Sequence, residues 1–137
     1  MDALIEARFV ETFVCKRQRK RLWRELTTPQ QRKFGISRIC HDSDVLYITK
    51  LRELGHDLDR DRVFMDNVRA HDTECYVLSA DVSLDGQTLM FSDALRAIRR
   101  SRCAAVIVGT KFALAITEPM SHGRCMNLYA TSPYPYW

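Results

Sequence analysis

From Ala3 to Leu26 the chain holds no Gly or Pro, and Ile5, Phe9 and Phe13 recur at helical spacing with Val10 and Val14 beside them. That apolar stripe predicts a helix with one face on a core. Thr28 then offers an N-cap, Pro29 a first helical position and Gln31 the capping-box position, so a second helix is expected from Pro29 to Cys40, weakened by Gly35. Between 41 and 73 the pattern is weaker. It fits a short helix from Val45 to Leu54 that ends at Gly55, and another from Arg60 to Arg69 with Val63, Phe64 and Val68 inward.

The back half changes period. "CYVLSA" (Cys75 to Ala80) reads as a strand, and Asp85-Gly86 signals a turn. Phe91, Ala94, Leu95 and Ile98 then form a helical stripe, with Arg99, Arg100 and Arg102 where cations suit the helix C-terminus. "CAAVIVG" is an apolar run of buried-strand length, "KFALAIT" alternates, and "CMNLYA" alternates again after the segment from Pro119 to Gly123. The expectation is an α+β protein: a helical N-terminal half followed by a small mixed sheet in β-α-β-β-β order. The Phe91 helix would make a right-handed parallel crossover, and the last three strands an antiparallel meander. One domain over 1–131 is expected, helical over 1–73 and sheet over 74–131, with 132–137 ("SPYPYW") an aromatic and proline-rich tail or a peptide for a partner groove.

"YVLSA", "LDG", "ALRAI" and "ALAITE", in that order, resemble small bacterial α+β proteins of no known activity, in which a helical front half precedes a strand, a helix and a hairpin. The resemblance covers residues 74 to 118 and implies the fold without implying a reaction.

Composition narrows the setting. At 137 residues, 46% hydrophobic and 28% charged, the sequence is of ordinary globular type and long enough to bury a core. Five cysteines without a C-x-x-C pair fit a reducing compartment. Asp2, Glu6, Arg8 and Glu11 interrupt any signal-peptide run, and no stretch nears the roughly 18 apolar residues of a membrane span, so a cytoplasmic protein is expected.

Charge changes the picture most. The overall +4 divides into +6 over residues 1–38, with ten Lys/Arg against four Asp/Glu, and −2 over the remainder. Lys16, Arg17, Arg19, Lys20, Arg21 and Arg24 crowd around Trp23 with Glu25 as their one acid. On a straight helix the face of Ile5, Phe9 and Phe13 continues into Lys16 or Arg17, Lys20 and Arg24, while Leu22, Trp23 and Leu26 gather roughly 140° away. Burying both apolar sets would press cations toward the core, which desolvation opposes. So either the helix bends near Cys15 or its second half projects as a basic face. Such a face would meet phosphates or an acidic protein, with Trp23 as the apolar contact; its bland alternative is a solvated helix surface.

Three His-Asp pairs, His41-Asp42, His56-Asp57 and His71-Asp72, recur at spacings of fifteen. If they converged they could hold a metal and activate water, and the dipeptide alone resembles metal-dependent phosphohydrolases of the His-Asp class; as separate residues they are helix ends and caps. Asp57, Asp59 and Asp61 mimic a calcium loop, yet Arg62 and Val68 stand where Gly and Glu belong. No phosphate-binding glycine loop or nucleophile elbow occurs. The leading expectation is a non-enzymatic module without a cofactor that binds nucleic acid or an acidic protein through its basic helix. The alternatives are a metal-dependent hydrolase and a regulatory interaction protein whose surface leaves little sequence trace.

Overall fold

The structure, a computed structural model, describes residues 2–46, 51–55, 74–109, 112–116 and 125–129. The first expected helix is two: α1 (Ala3–Phe13) and α2 (Lys16–Thr27), separated at Val14 by extended backbone. Val14 forms an antiparallel bridge with Leu46, and the Cys15 N–H donates to the Val45 carbonyl at 2.7 Å. The bend resolves the conflict between the two apolar stripes. Phe9, Val10 and Phe13 from α1 and Leu22 and Leu26 from α2 enter one core, and the cations of α2 need not follow them.

Both ends of α1 are capped. Asp2 Oδ1 accepts from the Leu4 and Ile5 N–H groups at 3.1 and 3.2 Å. The last turn of α1 has no basic residue of its own, and Arg19 supplies one from α2, donating to the Glu11 carbonyl at 2.8 Å and the Val14 carbonyl at 3.1 Å.

α3 (Arg32–His41) begins later than the sequence predicts. Residues 28–31 form a turn in which the Gln31 N–H reaches the Thr28 carbonyl at 2.9 Å, and Gln31 occupies the cap position, so Thr28 and Pro29 belong to the turn. Gly35 is buried where α3 folds back on α2: an added Cβ would stand 3.1 Å from Glu25 Cβ and 3.4 Å from Leu26 Cδ2. This glycine is thus a close-approach residue as well as a weak helix former.

A 3-10 turn (Ser43–Val45) follows. The helix expected over Val45 to Leu54 is corrected: Leu51–Gly55 is a strand, β1, because pairing with a distant strand overrides a weak local helical pattern. The helix expected over Arg60 to Arg69 and the tail at 132–137 lie outside the described residues.

The remaining elements are β2 (Glu74–Ser79), β3 (Thr88–Met90), α4 (Phe91–Ser101), β4 (Ala105–Val108), β5 (Phe112–Ile116) and β6 (Cys125–Tyr129). They give the expected α+β class, with the strands in one sheet in the order β1-β6-β5-β4-β2-β3. The mixed sheet and its parallel crossover are corrected, because among the described residues every strand pairing is antiparallel. The cause is β3, three residues too short to leave an alternating pattern. It turns the chain back along β2, so α4 returns it for an antiparallel β4. The continuous apolar run of β4 comes from a sheet covered on both faces. Cys75, Val77, Ala105, Ile107 and Leu114 meet Phe91, Ala94, Leu95 and Ile98 of α4. Tyr76, Leu78, Val106, Ala113 and Ala115 face the other way, into the core built by α1, α2 and α3.

Candidate functional site

Two arginine environments stand out on the N-terminal side of the sheet. The first is interior. Arg32, 7% exposed, begins α3 beneath Glu6 of α1, itself 3% exposed. Its Nη1 and Nη2 donate to Glu6 Oε1 and Oε2 at 2.6 and 2.8 Å, and its Nε and Nη2 to Asp85 Oδ2 and Oδ1 at 2.5 and 3.0 Å. Nη1 also donates to the Leu26 carbonyl at 2.9 Å, a group left over at the end of α2. All five guanidinium N–H groups are thereby used. Burial alone would lower the Arg32 pKa, but the hydrogen bonds and charges of Glu6 and Asp85 outweigh it, and the net shift is upward.

Tyr76 on β2 completes the cluster, donating to Glu6 Oε2 at 2.5 Å and accepting from the Asp2 N–H at 3.0 Å. Burial first, and then that bond to Glu6, push its hydroxyl up to about 12. Asp85 reaches the cluster from the turn after β2, where Gly86 takes a left-handed φ of 84° and Asp85 Oδ1 also accepts from the Ser79 N–H at 3.1 Å. This cluster ties three helices to β2 and its turn. With every guanidinium donor occupied and the carboxylates engaged, it is built to hold the fold rather than to react.

The second environment is exterior. α2 buries Leu22 and Leu26, while Lys16, Arg17, Lys20, Arg21 and Arg24 are exposed. Arg19 is committed to the α1 terminus, and Trp23 is half-buried against the core that holds Leu22 and Leu26. Glu25, the acid of this helix, accepts from Arg38 Nε at 2.9 Å and lies 2.7 Å from Arg38 Nη2, with Arg21 Nε farther off at 4.0 Å. Among the described residues no acidic side chain forms an ion pair with Lys16, Arg17, Lys20 or Arg24.

Between α2 and α3 runs an open groove of about 680 Å³, lined by Arg21, Arg24, Glu25, Phe34, Ser37 and Arg38 together with Gln31. Phe34 is 60% exposed there, although a phenylalanine inside a helix is ordinarily assigned to the core. The signal that places it is the α3 stripe: Arg32, Ile36, Ile39 and Cys40 turn inward, which puts Phe34, Ser37 and His41 on the outer side. A second cavity, of about 340 Å³, lies between α1 and the ends of β2, β3 and β4, where Phe9, Phe13 and Tyr76 line it together with Arg8 and Glu74.

Of the proposed metal ligands, His41 is exposed at the end of α3, and Asp42 caps that end with its backbone N–H, which donates to the Arg38 carbonyl at 2.9 Å, while its Oδ1 accepts from the Asp44 N–H at 3.0 Å in the following turn. His56, Asp57, His71 and Asp72 lie outside the described residues. Among the described residues no three His, Cys, Asp or Glu side chains come together as metal ligands, and no helix is long and apolar enough to cross a membrane. Comparison with protein-family models, curated proteins and solved structures finds no match.

Proposed function

We propose that this chain is a non-enzymatic binding module that presents the basic surface of α2 to a polyanionic partner, nucleic acid before an acidic protein surface. One observation carries the reading: five exposed cations, Lys16, Arg17, Lys20, Arg21 and Arg24, stand on one short helix whose single acid is engaged by Arg38. Like charges held this close repel one another, and a polyanion relieves that repulsion while releasing its own counterions. The cysteine pattern suits a reducing compartment, and we place the module in the cytoplasm.

The test is affinity for nucleic acid across a range of salt, for the natural protein and for a variant with Lys16, Arg17, Lys20 and Arg21 changed to Gln. The logarithm of affinity is expected to fall linearly with log salt, with a slope shallower in the variant by about 0.7–0.9 for each cation that contacts a phosphate. No binding at low salt contradicts the proposal. Stoichiometric metal on the purified protein, with loss of hydrolysis on His56→Ala, would favour the hydrolase instead.

A further inference from the structure

We infer that the groove between α2 and α3 is a site for single-stranded nucleic acid, in which Phe34 stacks on an unpaired base while Arg21 and Arg24 hold the flanking phosphates. The inference rests on the proposed binding of polyanions by α2 and adds to it a ligand class, a place and an aromatic residue.

Charge and apolar surface are interleaved here in a way that discriminates between partners. Phe34, 60% exposed, shares the groove with Arg21, whose side chain is 63% exposed, and with Arg24. An apolar protein surface that covered Phe34 would have to strip water from those guanidinium groups without replacing their hydrogen bonds. A duplex presents phosphates, but its bases are stacked and offer only their edges. A single strand alternates flat π-faces with phosphates, which is the chemistry of an aromatic ring flanked by cations.

The rest of the groove agrees. Its acid, Glu25, is engaged by Arg38 at 2.7 and 2.9 Å, so phosphate repulsion is reduced. Arg17 precedes Arg21 and Arg24 by one and two turns, extending the cationic row over roughly 10 Å of helix axis, the reach of a few nucleotides. Gly35 lets α3 approach α2 closely and so keeps Phe34 beside that row. Trp23, the aromatic residue that the sequence draws attention to, packs against the core and does not line the groove.

The test compares binding of a fluorescent oligothymidylate, a duplex of equal length and poly-glutamate by the natural protein, Phe34→Ala, Phe34→Tyr and the double variant Arg21→Gln/Arg24→Gln. Thermal melting of each variant confirms folding, which exposed substitutions leave intact. The expected result is single-strand affinity above that for the duplex, about a tenfold loss in Phe34→Ala, recovery in Phe34→Tyr, and a shallower salt slope in the arginine variant. Equal single-strand affinity in Phe34→Ala overturns the site while leaving polyanion binding standing. Tighter binding of poly-glutamate than of either nucleic acid overturns the ligand class. Failure of all three ligands to bind at low salt overturns the underlying function as well.

Discussion

Arg32 and the Arg21–Arg24 pair are the same side chain put to opposite uses. Arg32 is enclosed, and its five N–H groups are met by Glu6, Asp85 and the Leu26 carbonyl. Arg21 and Arg24 are exposed on a helix whose one carboxylate, Glu25, is held by Arg38 at 2.7 Å and stands 4.0 Å from Arg21. Inside the protein a charge persists only when it is paired and hydrogen-bonded, so the Arg32 cluster fixes how α1, α3 and the turn after β2 meet. On the surface, uncompensated charge contributes little to stability and remains available to a partner. The fold therefore depends on the first set and the proposed function on the second, and substitutions should separate the two.

The sharpest separation comes from Arg32→Met. It leaves Glu6 and Asp85 buried without their cation, and is expected to cost about 3–5 kcal/mol in urea denaturation. A loss under about 1 kcal/mol would show that the interior pairing matters no more than a surface ion pair. Next is Gly35→Val, whose side chain must displace Glu25 and Leu26. It should cost about 1–3 kcal/mol and weaken nucleic-acid binding together with stability, because it parts the two helices that define the groove.

Tyr76→Phe removes one bond to a buried carboxylate and should cost about 1–2 kcal/mol at neutral pH. It also has a signature in alkali. The tyrosine ionises near pH 10 when unfolded and near 12 when folded, so the unfolded state gives up its proton first. The contribution is complete below pH 10 and is lost as pH rises toward 12. Denaturation as a function of pH should show a smaller decline over that interval in Tyr76→Phe. The smallest stability change belongs to the Gln variant at Lys16, Arg17, Lys20 and Arg21, within about 0.5 kcal/mol of the natural protein. Affinity, not stability, is where those four substitutions should register.

The apolar pattern carried most of this fold: α1 and α4 leave a period of 3.6, β5 and β6 a period of 2, and β2 and β4 short continuous runs of strand length. What escaped it was topology. β3 is too short to display a period, and without it the chain direction through α4 is read backwards. β1 escaped because Leu51–Gly55, "LRELG", has no strand pattern of its own and is a strand through its pairing with β6. The basic helix was legible because charge is read directly, and a bend near Cys15 was one of the two ways to reconcile its apolar stripes, the other being a projecting second half. The Arg32 cluster was not, because its four residues are spread from Glu6 to Asp85 and nothing local distinguishes a buried ion pair from two solvated charges. Phe34 was hidden for the converse reason: its type points inward, and only its phase relative to Ile36 and Ile39 points out.

The most direct test of the central claim is an amide NMR titration of the ¹⁵N-labelled protein with a short oligothymidylate at low salt. The account predicts shift changes concentrated in α2 from Lys16 to Glu25 and in α3 from Lys33 to Arg38, with the amides around Glu6, Tyr76 and Asp85 unmoved. Changes centred instead on α4, or an unchanged spectrum at saturating oligonucleotide, would contradict it.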